Sequence, residues 1–390
     1  MPVQATIFSQ ITSQLFQTEF SRCAARYPMP RSSRSFSAYD HFLALCFAQL
    51  TYRESLRDVV ACLNCRRQLR YHLGFRGRIT RTNLAYANEH RDWRLFAAVA
   101  EVLMARAQKL YRNDISDPDL PQLAFALDSS IIRLSVKLFP WAYWPRSGAS
   151  ALKLHTLLAL RGQFPAWSAI TEAYFHDTKM LDRVPVQPGG YYVMDRAYLD
   201  FTRLIRWELA GAKFVVRNKC HVRFYVVRSA KINKATGLRC DQVIRLKTTW
   251  SKRVYPHPLR RIRFYDVQEE RSLVFLTNDF TLPALTICEL YRRRWQVELF
   301  FKWIKQHLRI RNFFGRSPNA IQCQIWTAIC TYLLVAITKK HLQVDKSLYE
   351  ILQILSVSAF EQTPLTQLLT QNTPTQDPSN CQNTPILLGF

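Results

Sequence analysis

Apolar positions recur at helical spacing along the first hundred residues. Phe8, Ile11, Leu15 and Phe16 fall on one face, and Phe42, Leu43, Leu45, Cys46 and Leu50 form a second run, so residues 1 to about 110 predict helices. Beyond residue 122 the apolar runs shorten. Residues 123–127 (LAFAL) end at Asp128, and 131–136, 154–160 and 166–171 read as further strands. A helical piece at 180–184 precedes 191–194 (YYVM), an apolar strand that ends at Asp195. Residues 201–209 read as a helix stopped at Gly211, and 213–216 as a strand.

A run of strands followed by helix, strand, helix and strand predicts a mixed sheet with helical crossovers, that is, an α/β fold with a ribonuclease H-like core. Residues 219–278 carry candidate strands at 222–227, 242–247, 261–267 and 273–277 and are basic. They read as a β-rich insertion, because the helix that follows is needed to complete the core. The stretch 114–122 (DISDPDLPQ) turns to Asp and Pro and marks a boundary. The division expected is a helical domain over 1–112, the first part of the core over 122–218, the insertion over 219–278, completing helices over 279–345, and a C-terminal helical segment with a loose tail over 346–390. The tail, 361–390, is rich in Gln, Thr, Asn and Pro and has no Lys or Arg. The apolar run 325–337 contains thirteen residues, and a bilayer span needs roughly 20, so a buried core helix is expected and no membrane.

Composition adds a partner to this picture. Of 390 residues, 54 are Lys or Arg and 28 are Asp or Glu, a formal net charge of 54 − 28 = +26. Such an excess calls for a polyanion, either nucleic acid or an anionic membrane surface. The start of the chain lacks a basic region followed by an apolar stretch and a cleavage site, which predicts a cytoplasmic protein. Ten Cys at irregular spacing predict reduced thiols, and the pair Cys62 and Cys65 reads as structural helix residues rather than half of a zinc site. Between Leu73 and Trp93 a Gly-containing basic turn with Arg76, Arg78 and Arg81 precedes Thr82, a candidate N-cap. It suits a helix-turn-helix meeting a DNA backbone, the alternative being a solvated basic loop between core helices. A second basic stretch, 252–263, includes Arg260 and Arg261 and is expected to track phosphates.

Asp128 and Asp195 are each expected at the carboxyl end of an apolar strand, where binding groups collect in open α/β sheets; an Asp there also commonly caps a turn. Residues 290–310 contain no Gly or Pro and predict one long helix. On it Tyr291, Arg294, Glu298 and Lys305 fall within an arc of about 60°, with Arg309 returning to the same line. Val297, Phe301, Ile304 and Leu308 form a neighbouring apolar stripe. Charges on a helix commonly form a solvated face. A carboxylate flanked by cations beside a buried stripe is also what a metal site facing a phosphate backbone requires.

The spacing Y-x2-R-x3-E-x6-K at Tyr291, Arg294, Glu298 and Lys305 resembles the signature of bacterial transposases of the insertion sequence 4 family, whose active site is a DDE triad. LDSS at Asp128, KLHTLLALRG at 153–162, HD at His176 and Asp177, and VMDRAY around Asp195 are similar to blocks of that family in the same order. FAQLTYRESLRD, YHLGF and ANEHRDW resemble the helical DNA-binding domain of one branch of it. Ala159 stands where many relatives have an acidic residue, and WAYWPRSGAS is unusual; neither touches the triad.

The resemblance implies Asp128, Asp195 and Glu298 as catalytic residues and ligands of two Mg²⁺ ions, with Mn²⁺ as a substitute. It implies Tyr291, Arg294, Lys305 and Arg309 as DNA contacts, and binding of terminal inverted repeats followed by strand cleavage and strand transfer. The expected partners are double-stranded DNA at transposon ends and target, and a second copy of the chain in a synaptic homodimer at the nucleoid. Trp250 could stack on a flipped base, although an ordinary core or surface aromatic is the commoner reading. His155 and His176 are expected in structural hydrogen bonds. A ribonuclease H-like repair nuclease and a catalytically silent DNA-binding relative are the alternatives.

Overall fold

The computed structural model describes residues 5–29, 36–65, 67–112, 121–307 and 313–370. Arg309, Leu308, most of the boundary at 114–122 and the tail beyond 370 lie outside them. The described N-terminal region is helical: α1 (Ile7–Thr12), α2 (Gln17–Ala25), α3 (Ala38–Leu50), α4 (Leu56–Cys65), α5 (Arg67–His72), α6 (Arg81–His90) and α7 (Arg94–Tyr111). There follow β1 (Ala124–Leu134), β2 (Tyr143–Trp144), β3 (Ala149–Ala159), β4 (Phe164–Glu172), α8 (Asp177–Met180), β5 (Tyr191–Met194), α9 (Phe201–Leu209) and β6 (Lys213–Arg217). The basic stretch supplies β7 (Phe224–Ser229), β8 (Leu238–Leu246), α10 (Thr249–Val254), β9 (Leu259–Asp266) and β10 (Arg271–Thr277). Then come α11 (Ala284–Arg292), α12 (Trp295–His307), α13 (Pro318–Leu342), α14 (Leu348–Ser358) and α15 (Leu365–Thr370).

All the described strands join one mixed sheet, in the order β2-β3-β1-β5-β6-β10-β9-β8-β7, with β4 pairing the free stretch of β3. At its centre β1, β5 and β6 are parallel, with α9 crossing between the last two; β3 is antiparallel to β1 and β4 to β3. The basic insertion is β-rich as expected, but it does not make a sheet of its own. β10 pairs antiparallel with β6, so β7 to β10 extend the central sheet. Backbone groups at the β6 edge need partners, and β10 satisfies them.

Several sequence expectations change in detail. Residues 123–127 and 131–136 are not two strands: β1 runs continuously through Asp128 to Leu134, because β3 pairs with it along its whole length, from Phe125 with Ala159 to Leu134 with Ser150. The helix expected over 290–310 is broken at Arg293 and Arg294. The amide of Arg294 donates to Tyr291 carbonyl and that of Gln296 to Arg293 carbonyl, three residues back rather than four. The N-cap of α6 is Thr80, whose hydroxyl accepts from Asn83 amide at 3.1 Å, rather than Thr82. Residues 361–370 are packed rather than loose. Leu365 and Leu369 are buried, and the Ile7 amide donates to Glu361 carbonyl.

Helix α13 organises the core. Its residues from Ala320 to Thr338 are almost all buried, and α3, α6, α7, α12, α14 and β4 pack against it. It is long and apolar enough to cross a membrane by composition, yet its apolar window is covered by these elements. The N-terminal helices and the sheet thus share one hydrophobic cluster. Polar ties reinforce it: Tyr111 Oη donates to Ala336 carbonyl and Tyr332 Oη to Gln163 carbonyl, both at 2.9 Å. Cys62 and Cys65 lie on α4 with free thiols.

Candidate active site

The parallel pairing of β1 and β5 ends at Leu127 opposite Met194. The next residue on each strand is an aspartate, so chain geometry sets Asp128 and Asp195 side by side where β5 stops and β1 continues. This is the physical content of the strand-end expectation, although Asp128 itself lies within β1. Asp195 then leads into a short helical turn in which the Tyr198 amide donates to its carbonyl at 3.0 Å.

Helix α12 brings the third carboxylate. Val297, Phe301 and Ile304 are buried, and α12 packs on β1 and β3 through this stripe. The break before α12 orients the signature residues on two helices rather than along one straight face. Tyr291, at the end of α11, donates its hydroxyl to Asp195 Oδ1 at 3.2 Å. Arg294, in the break, donates from one guanidinium nitrogen to Asp128 Oδ2 at 2.5 Å and from the other to Glu298 Oε1 at 2.7 Å. Its guanidinium also stands 5.7 Å from the Tyr291 ring centroid. Asp128, Asp195, Tyr291, Arg294 and Glu298, spread over 171 positions of sequence, therefore meet in one place.

Electrostatics follow from this crowding. Burial pushes the Asp128 carboxyl up to about 6; Arg294 and the Ser129 amide oppose that rise, and Glu298 and Asp195 add to it. Burial also works against the charge of Arg294, but Asp128, Tyr291 and Glu298 outweigh it and hold the guanidinium above its ordinary pKa. Burial and the Asp195 carboxylate push the Tyr291 hydroxyl up to about 12, even with Arg294 opposing, so it remains a proton donor.

Three carboxylates are the hard oxygen donors a divalent cation of the Mg²⁺ or Ca²⁺ type takes. In this arrangement the positive charge between Asp128 and Glu298 is the guanidinium of Arg294. No three His, Cys, Asp or Glu side chains among the described residues are gathered closely enough to enclose an ion. The donor set fits a metal in its chemistry, with Arg294 holding two of its members.

The remaining sequence candidates divide. Lys305 is exposed on α12, and partial desolvation of its ammonium together with Arg133 lowers its pKa. Arg76, Arg78 and Arg81 are exposed on the turn before α6 and its first residue, alternating with buried Phe75 and Ile79. Arg260 is not presented to solvent. It is 9 % exposed and forms a two-point pair with Asp241 at 2.9 and 2.8 Å, plus a bond to Leu282 carbonyl. Arg261 is turned to Cys240 Sγ and Gln242 Oε1, over the Phe224 ring. Alternation along β9 puts the two on opposite faces of the sheet, and on each face the arginine is taken up by residues of β8, which a count of basic residues does not register. Trp250 is exposed on α10 and lines a cavity of about 420 Å³ with Lys219, His221 and Arg223. His155 bonds to Thr171 and His176 caps α8, the structural roles expected of them. Sequence reasoning did not single out Lys153, Ser129 and Tyr198: Ser129 and Lys153 both bond to Asp177, and the Tyr198 hydroxyl lies near Asp128 and Asp177. A lysine inside the apolar strand ALKLHTLLAL was the available signal.

Comparison with known proteins gives this geometry its context. The transposase DDE domain matches residues 119–334, more than half of the chain, and a domain of unknown function matches residues 3–76. A protein of Sinorhizobium fredii named as a transposase is 31% identical over 261 residues, 66% of this chain and 71% of the relative. The transposase of insertion sequence element IS5377 from Geobacillus stearothermophilus is 28% identical over 55% of this chain, which spans 56% of that relative's length. That of element IS4SA from a Synechocystis strain is 26% identical over 64% of this chain and 69% of its own. The match spans β1 to most of α13 and so includes all three carboxylates, Tyr291 and Arg294; the chain belongs to the DDE transposase family and is an insertion-sequence transposase.

Proposed function

We propose that this chain binds the terminal inverted repeats of its own element and catalyses cut-and-paste transposition, with Asp128, Asp195 and Glu298 as the catalytic carboxylates. The observation that carries the reading is the convergence of Arg294 on Asp128 and Glu298 while Tyr291 holds Asp195. The order β4-β3-β1-β5-β6, antiparallel on one side and parallel on the other, reads as a ribonuclease H-like core.

Asp128, Asp195 and Glu298 would hold Mg²⁺, with Mn²⁺ able to substitute. Bound there, two ions would supply activation of the attacking oxygen and charge stabilisation at the leaving oxygen of an in-line displacement. The chain's own part is positional. Tyr291 fixes the rotation of the Asp195 carboxylate. Arg294 keeps Asp128 and Glu298 close despite their repulsion, and its planar fork matches a phosphate as well as a carboxylate. Lys305, further along α12, and the exposed Arg76, Arg78 and Arg81 offer charge to the DNA backbone. In this reading residues 1–112 recognise the transposon end, residues 219–278 extend the sheet under the DNA, and the acting form is a DNA-induced homodimer at the nucleoid.

The test is strand cleavage of a duplex carrying the element's own end, in Mg²⁺, by the wild type and Glu298→Gln. Cleavage at the repeat boundary that vanishes in the variant, with end binding retained, supports the assignment. End binding without cleavage by either protein would identify a catalytically silent relative.

A further inference from the structure

Next to Asp128 lies a largely buried polar cluster, with Asp177 half-buried at its rim, to which the chemistry above gives no part. Ser129, the residue after Asp128, donates its hydroxyl to Asp177 Oδ1 at 2.8 Å. The same oxygen receives the Lys153 ammonium at 3.3 Å, and Lys153 also donates to Phe175 carbonyl at 2.8 Å. His155, which faces Ser129 across the β1–β3 ladder, is fully buried with Nδ1 3.8 Å from Asp177. Burial, with Lys153 and Arg183 adding to it, lowers its pKa to about 4 against the pull of Asp177, so it is neutral. Tyr198 is 1 % exposed in the turn after Asp195, and its hydroxyl feels Asp128, Asp177 and Asp195 together.

Such a cluster is costly. Lys153 is 8 % exposed and is the one Lys, Arg, Asp or Glu in β3, and a buried ion pair is frequently no more stable than apolar residues of the same volume. Stability therefore does not account for it. Geometry does: the Ser129 amide donates to Asp128 Oδ1 at 2.8 Å, while Arg294 takes Oδ2. Whatever fixes Ser129 fixes one oxygen of the Asp128 carboxylate.

We infer that Asp177 is a positioning residue for Asp128, acting through Ser129 and itself held by Lys153, so that the Asp128 carboxylate is oriented for its metal before DNA arrives. The inference rests on the reading of Asp128 as a metal ligand. Outer partners of this kind are worth roughly ten-fold to hundred-fold in metal affinity.

The experiment uses the full chain in complex with a pre-cleaved end duplex carrying a dideoxy 3′ terminus, which stops further chemistry. Mn²⁺ binding is read from the free-ion magnetic resonance signal, and thermal midpoints are measured alongside. Ser129→Ala and Asp177→Asn are each expected to weaken Mn²⁺ binding by about ten-fold or more. The double variant should be no worse than the weaker single, and Ser129→Thr, which keeps the hydroxyl, should bind as the wild type does. Ser129→Ala leaves the Lys153–Asp177 pair intact, so it tests the path without unpairing a buried charge. Wild-type Mn²⁺ binding in both single variants overturns the inference, as does a loss that simply follows the thermal midpoint. Asp128→Asn separates the two levels: if it binds Mn²⁺ like the wild type, Asp128 is no ligand, and the site reading falls together with the inference.

Discussion

Arg294 reaches Asp128 Oδ2 at 2.5 Å across 166 positions of chain, from the break between α11 and α12 to the middle of β1. That contact, shared with Glu298, makes one guanidinium the hinge of the site. A lysine carries the same charge but cannot bridge two carboxylates in a fixed fork. Arg294→Lys is expected to keep end binding within a few-fold and to lower cleavage by about two orders of magnitude. Single-turnover cleavage beside a gel-shift titration checks this; equal losses in both would assign Arg294 to binding alone.

The Asp128 carboxyl, with a pKa near 6 against an ordinary 3.8, makes stability and activity respond to pH in opposite directions. The folded chain holds this proton more tightly than the unfolded chain does. The contribution of Asp128 to stability is therefore present below about 4 and lost as pH rises through about 6, a change on the order of 2–3 kcal/mol. Asp128→Asn should be more heat-stable than the wild type at a pH of about 7.5, with the difference closing near about 4.5. Wild-type cleavage should decline as pH falls through about 6, since protonated Asp128 cannot serve as a ligand. Thermal unfolding and end cleavage across that range read both trends.

Tyr291 packs against Phe275 with ring centroids 4.5 Å apart and separately donates to Asp195. Tyr291→Phe keeps the packing and removes the hydrogen bond, worth about 0.5–1.5 kcal/mol. Cleavage is expected to fall by up to about ten-fold with the thermal midpoint nearly unchanged. Complete inactivation would instead point to the hydroxyl as a reacting group.

Gly162, in the turn between β3 and β4, has φ +76°, and a Cβ there would come within 2.5 Å of the Tyr111 ring. Tyr111 in turn donates to α13. Gly162→Ala strains the backbone and displaces a ring at the junction of α7, α13 and the sheet. It should destabilise the chain by roughly 2–4 kcal/mol, read by urea unfolding. Gly148→Ala, where nothing lies within 4 Å of the added atom, should cost less.

Exposed Arg76, Arg78 and Arg81 give a salt test. If each meets a phosphate, replacing all three with Ala lowers the slope of log affinity against log salt by about 2.7. Arg260→Ala, by contrast, should lower stability by leaving Asp241 buried without its partner. A triple variant with the wild-type slope would return this turn to the role of a solvated loop.

The periodicity of 1–110 and the short apolar runs after 122 are local properties, and they largely determined which segments became helix and strand. The residue types at 128, 195, 291, 294 and 298 are equally local, since chemistry at a phosphate needs carboxylates and fixed cations wherever they stand in the chain. The tertiary structure decided how these parts meet. Whether β1 stops at Asp128 or runs past it depends on the reach of β3; whether the insertion stands apart depends on the open edge of β6. The α11–α12 break has no Gly or Pro to announce it, because it follows from docking Val297 and Ile304 on the sheet while Arg294 binds Asp128. The same holds for Arg260 and Asp177, whose partners lie 19 and 48 positions away in sequence. Pairing across the sheet turned one basic residue inward and placed one carboxylate beside the site, and these relations exist only once the strands are in register.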